Sequence, residues 1–169
     1  MQFGSINILV NTPETALKAY VKMFGTNNIE QIIRLTGLND GVDIVDGYFL
    51  RTHPIHIGLF KPRSTAGRMG ASLARYGEGI HHIEIHLAQD TFEETYLRFK
   101  YEGYSVSEKI TYVGKFSEAL FWLEETGEQG LPVKFCTKTT RSLGLWKDTI
   151  YLDTPQKFEP VTYEEEILR

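Results

Sequence analysis

Three of the five histidines in this chain stand in one short segment, Tyr76-Gly77-Glu78-Gly79-Ile80-His81-His82-Ile83-Glu84-Ile85-His86-Leu87. The glycines loosen the backbone and a strand-like run follows. With a side-chain period of two, Ile83, Ile85 and Leu87 share a face with His81, and His82, Glu84 and His86 share the other. Two imidazoles and a carboxylate on one face can exchange protons near neutral pH or ligate a metal. A wet edge strand is the competing reading of the same alternation. The other two histidines, His53 and His56, precede and enter the run Pro54-Ile55-His56-Ile57-Gly58-Leu59-Phe60, where His56, Gly58 and Phe60 share a face.

The elements that must position these residues come in a repeated order. Residues 5–10 read as a strand, with Ile6, Ile8 and Val10 opposite Ser5, Asn7 and Leu9. Thr12-Pro13-Glu14 then starts a helix carrying Ala16, Leu17, Tyr20, Met23 and Phe24, which stops at Gly25. Three strands follow, at 30–35, 42–50 and 54–60, the first two joined by the turn Asn39-Asp40-Gly41. The second half repeats this: a strand at 82–87, a helix capped by Asp90 or Thr91 with Phe92, Tyr96, Leu97 and Phe99 on its stripe, and strands at 105–113, 118–123 and 132–138. The turn 125–130 joins the last two. Setting Ser5 against His82 gives an offset of 77 residues, and Thr12 against Asp90 gives 78. A duplicated βαβββ unit is the pattern.

This divides the chain into a first βαβββ module at 1–62, a linker at 63–79, a second module at 80–140 and a tail at 141–169. The tail is expected to pack back through Trp146, Ile150, Tyr151 and Leu152, with Glu164, Glu165 and Glu166 at a solvated end. The linker reads as one helical turn at 71–76. With the adjoining Lys61 it carries Arg63, Arg68 and Arg75, fit for an anionic group or simply for solvent.

Composition bounds the rest. At 41% hydrophobic and 24% charged, 169 residues suffice for an ordinary core. A formal net charge of −4 argues against a nucleic-acid surface, and no apolar run approaches a membrane span. Met1-Gln2-Phe3-Gly4 has neither the basic start nor the apolar core of a signal peptide. The single Cys136 leaves no intramolecular disulfide, so the expected compartment is the cytoplasm; its apolar flanks point to buried packing rather than nucleophilic work.

Two βαβββ modules, the segment Ile6-Asn7-Ile8-Leu9-Val10-Asn11-Thr12-Pro13-Glu14, and above all Arg75-Tyr76-Gly77-Glu78-Gly79-Ile80-His81-His82-Ile83 resemble the vicinal oxygen chelate superfamily, over about residues 4–138. Within it the likeness is strongest to the methylmalonyl-CoA epimerase and glyoxalase-like branch. The resemblance implies an α+β fold in which the modules form a curled, cup-shaped mixed sheet with helices outside, and it implies a homodimer. It also implies a divalent metal held by one residue from the first and last strand of each module, usually His, Gln or Glu. Carried over, those positions fall on Ser5, Gly58, His82 and Lys134. Only His82 suits a metal; Lys134 opposes one. A rearranged set would join His56 and either Glu84 or His86 to His82, with Asn7 beside them.

Two functions follow. The first is an isomerase, epimerase or lyase that moves a proton on a small, oxygen-rich carbonyl substrate. His82, Glu84, His86 and Lys134 would act in catalysis, and Asn7, His56, Tyr48 and Phe121 would bind substrate. The second is a non-catalytic small-molecule binder of the same fold, using aromatic residues such as Tyr48, Phe49, Phe60, Tyr112, Phe121 and Trp122. The ionisable cluster favours the enzyme. His82 is expected to face the site and His81 the helix.

Overall fold

The computed structural model describes residues 2–39, 43–113, 118–123, 131–138, 149–151 and 157–167. In chain order the elements are β1 (Gln2–Leu9), α1 (Pro13–Phe24), a 3-10 turn (Thr26–Asn28), β2 (Ile29–Asn39), β3 (Ile44–Thr52), β4 (His56–Pro62), α2 (Arg68–Tyr76), β5 (Gly79–His86), α3 (Gln89–Tyr101), β6 (Ile110–Val113), β7 (Glu118–Leu123), β8 (Val133–Lys138), β9 (Thr149–Tyr151), β10 (Lys157–Val161) and α4 (Tyr163–Ile167). This is an α+β fold built from two βαβββ modules. Asp40 and Gly41 of the expected first turn, residues 125–130 of the second, and Trp146 and Leu152 lie outside the described residues. No helix among the described residues is long and apolar enough to cross a membrane.

The chain forms two compact units. The first comprises Ser5–His81 and Thr154–Arg169, the second Met1–Gly4 and His82–Asp153. In the first unit the strand order is β10-β2-β3-β4-β1, with β1 parallel to β4 and the other neighbours antiparallel. Helix α1 forms where Pro13 pre-sets the first turn, Glu14 suits the helix dipole and Lys22 the last turn; Gly25, at φ 76°, ends it. Thr12 occupies the N-cap position without a side-chain bond. Leu17 and Val21 bury one stripe of α1 against Ile8, Val10, Ile32, Tyr48, Leu50, Ile57 and Leu59. Each such side chain contributes about 1.5–3 kcal/mol of burial. The opposite face of the sheet carries Leu9, Leu35, Val45 and Phe60, covered by Met69 of α2.

Helix α2 runs for nine residues, longer than the single turn expected, because Asp43 accepts hydrogen bonds from the Met69 and Gly70 amides at its start (2.9 and 3.1 Å). The tail is also more ordered than its composition suggests. β10 adds to the edge of β2, and Arg34 clasps Glu159 of β10 (2.6 Å) and Glu166 of α4 (3.0 Å). Glu166 is therefore buried rather than solvated.

In the second unit the order is β5-β8-β7-β6-β9, with β5 parallel to β8 and β6 parallel to β9. Phe92 and Tyr96 of α3 lock edge-on against Phe121, which stacks on Phe135 at 5.1 Å. The expected cap, Asp90 or Thr91, is replaced by Ala88, and Leu97 faces solvent, since it stands one residue past the buried Tyr96. β6 starts only at Ile110; ahead of it Val106 makes a single bridge to Leu123.

Candidate functional site

The polar face of the second unit is set by register. The parallel β5–β8 ladder puts Glu84 opposite Lys134 and His86 opposite Cys136; the antiparallel β7–β8 ladder puts Trp122 opposite Lys134. His82, Glu84, His86, Lys134, Cys136 and Trp122 thus share the face turned away from α3. Ile83, Ile85 and Leu87 take the other face, as the alternation requires.

Glu84 is the hub of this face. One carboxylate oxygen accepts from the Lys134 ammonium (3.1 Å), and the other lies 2.8 Å from His86 Nε2. The Glu84 and Lys134 side chains are only 17% and 11% exposed. Burial works against ionising Glu84, but the Lys134 ammonium and the His86 hydrogen bond outweigh it and hold the carboxyl well below the usual carboxylate range. Held between the Lys134 ammonium and the His86 ring, Glu84 is placed to orient that imidazole. His82 is 2% exposed, its ring edge-on to Trp122 at 4.8 Å.

In the first unit the corresponding face carries Ser5, Asn7, His56 and Gly58, since β1 and β4 pair Ser5 with His56 and Asn7 with Gly58. Ser5 and Asn7 are buried and hydrogen-bonded to each other (3.0 Å). A Cβ on Gly58 would run into the Asn7 carboxamide and the Phe60 ring, so only glycine leaves Asn7 its place. His56 Nδ1 lies 3.1 Å from the Thr52 carbonyl, and its ring meets Phe49 edge-on at 5.6 Å.

Tyr48 and Phe121, both expected to bind substrate, lie on the helix-packed faces of their strands. Tyr48 lies in the α1 core and its hydroxyl donates to Glu166; burial first, then that hydrogen bond, pushes its pKa up. Phe121 is fully buried beneath α3. Each sits one residue from the aromatic on the polar face, Phe49 and Trp122, and a shift of one residue reverses a strand side chain. Fixing the parity of β3 on Leu50 and of β7 on Leu123, both core residues, would have found them. His81 is buried too, but its charged neighbours are Arg68 and Asp43; burial first, then Arg68, pushes its pKa down to about 4.

Three of the four positions that the superfamily resemblance assigns to metal ligands do not fit that ion. Ser5 is engaged with Asn7, Gly58 offers no donor, and the Lys134 ammonium rests on Glu84. No step is assigned to a metal bound there.

The paired modules and their polar strand faces define a vicinal oxygen chelate fold. Similar solved structures include methylmalonyl-CoA epimerase from Mycobacterium tuberculosis, with TM-score 0.67 and 13% identity over 84% of this chain and 91% of that one. A methylmalonyl-CoA epimerase variant from Streptomyces coelicolor, in complex with 2-nitronate-propionyl-CoA, matches with TM-score 0.65 and 18% identity over 83% and 99%. A hypothetical protein from Bacillus halodurans C-125 matches with TM-score 0.64 and 23% identity over 83% and 96%. No protein-family model and no curated protein matches the sequence.

Proposed function

We propose that this chain is an isomerase or epimerase of the glyoxalase-like type, moving a proton on the carbon beside a carbonyl in a small substrate. The observation that carries this reading is the Lys134–Glu84–His86 series on the polar face of β5 and β8. With Nε2 facing the carboxylate, His86 exchanges the proton through Nδ1. Its side chain is 39% exposed, so a ligand can reach it. Glu84 orients the ring and stabilises the imidazolium. Lys134 keeps Glu84 ionised and offers positive charge to the enolate oxygen that forms as the proton leaves. His82 and Trp122 pack beside this series on the same strand face, both buried.

Acyl thioesters are the substrate class to try first, because the similar structures include epimerase complexes with methylmalonyl-CoA and 2-nitronate-propionyl-CoA. Cytoplasmic residence and a homodimer belong to the same proposal, and light scattering checks the second. The test of function is solvent exchange: purified protein and methylmalonyl-CoA in deuterated water, with deuterium at the α-carbon followed by mass spectrometry. Exchange that falls by about 100-fold or more in His86→Ala supports the assignment. Wild-type exchange rates in that variant would refute the role of His86. Thioester binding with no exchange above background would make the protein a binder.

A further inference from the structure

We infer that Glu84, His86 and Cys136 form a binding site for a thiophilic divalent cation, with zinc the best fit. The inference goes beyond the proton-transfer reading and does not rest on it. One carboxylate oxygen, one ring nitrogen and the Cys136 sulfur all lie within 4.8 Å of one another. Donors of a tetrahedral zinc site, with bonds of roughly 2.0–2.3 Å, stand about 3.3–3.8 Å apart. Small side-chain rotations close that difference.

Three features support the site. The parallel register places His86 directly opposite Cys136, so two of the three donors are fixed by backbone pairing rather than by flexible loops. Gly4 leaves room for the imidazole: a Cβ there would collide with the His86 ring. Cys136 is 1% exposed while His86 reaches solvent, giving the ion a way in and a dry place to rest. An S, N, O donor set suits zinc and disfavours calcium and magnesium, which take oxygen ligands. Three protein ligands leave a fourth position open.

Lys134 bonds the other Glu84 oxygen, Oε2, leaving Oε1 to the ion. Its positive charge weakens the site without blocking it. On binding, the Cys136 S–H bond gives way to a metal–sulfur bond and the proton goes to the buffer. The ion takes the Glu84 and His86 atoms that otherwise face each other, so the metal-loaded and proton-transferring forms are alternative states.

The test is titration of the chelator-treated protein with Co²⁺ in the absence of substrate, followed by displacement with Zn²⁺. The expected result is one ion per chain with an intense near-ultraviolet thiolate-to-cobalt band, lost on adding zinc. Cys136→Ser should abolish the band, His86→Ala should weaken binding by at least ~10-fold, and Lys134→Met should tighten it. His86 is partly exposed, so that variant is expected to fold and serves if Cys136→Ser does not. No thiolate band with the wild-type protein, or a band that persists in Cys136→Ser, would overturn the inference. Since no substrate is present, either outcome leaves the exchange assay to stand or fall separately.

Discussion

Replacing Lys134 by Met tests whether the Glu84 ion pair holds β5 and β8 together. An exposed pair of this kind is worth at most ~1 kcal/mol, whereas removing one partner of a fully buried pair costs about 3–5 kcal/mol. Side-chain exposures of 11% and 17% place this pair nearer the second limit. After allowing for partial solvent access, we expect a loss of about 2–3 kcal/mol. For a chain of 169 residues that corresponds to a fall in Tm of roughly 4–12 °C. Glu84→Gln should cost a comparable amount, because it strands the ammonium. The double variant, which leaves no uncompensated charge, should lose far less than the sum, giving a coupling energy of about 2 kcal/mol by urea denaturation. The acid limb provides a second readout. The Glu84 carboxyl is depressed in the fold, so its contribution is present above the unfolded value near 4.5 and is lost as pH falls through its lower folded value. That loss should shrink in Lys134→Met. Losses that simply add, to within about 0.5 kcal/mol, would show that the two side chains do not stabilise each other.

Other measurements probe other parts of the chain. His81, held neutral with its pKa pushed from 6.5 to about 4, should make the fold lose stability as pH drops through that window, because the unfolded chain takes up the proton first. The difference between pH 7 and pH 4 should be on the order of 2–3 kcal/mol larger in wild type than in His81→Leu. Tyr48→Phe should cost about 1–2 kcal/mol by removing the bond to buried Glu166, with deuterium exchange unchanged. Altered thioester binding in that variant would contradict its place beneath α1. Gly47→Ala should cost about 3 kcal/mol or more, since φ is 149° and a Cβ would strike the Leu59 carbonyl; a melting temperature like that of wild type would refute this.

Much of the fold follows from local sequence. Period-two alternation and two apolar helical stripes are short-range signals, so the duplicated module and the division of β5 into Ile83, Ile85 and Leu87 against His82, Glu84 and His86 were legible without coordinates. The same holds for α1, whose Pro13 and Gly25 mark its ends by backbone chemistry alone. Tertiary structure decided what alternation leaves open. Tyr48 against Phe49, and Phe121 against Trp122, are adjacent aromatics of like hydrophobicity, and only the pairing register shows which of each meets a helix. The Lys134–Glu84–His86–Cys136 grouping joins strands about 50 residues apart, and only their register specifies it. The tail reads as solvated because Glu164, Glu165 and Glu166 are all acidic. Glu166 is buried because Arg34 and Tyr48, more than 100 residues earlier, meet it there. No local signal anticipates a partner that far along the chain.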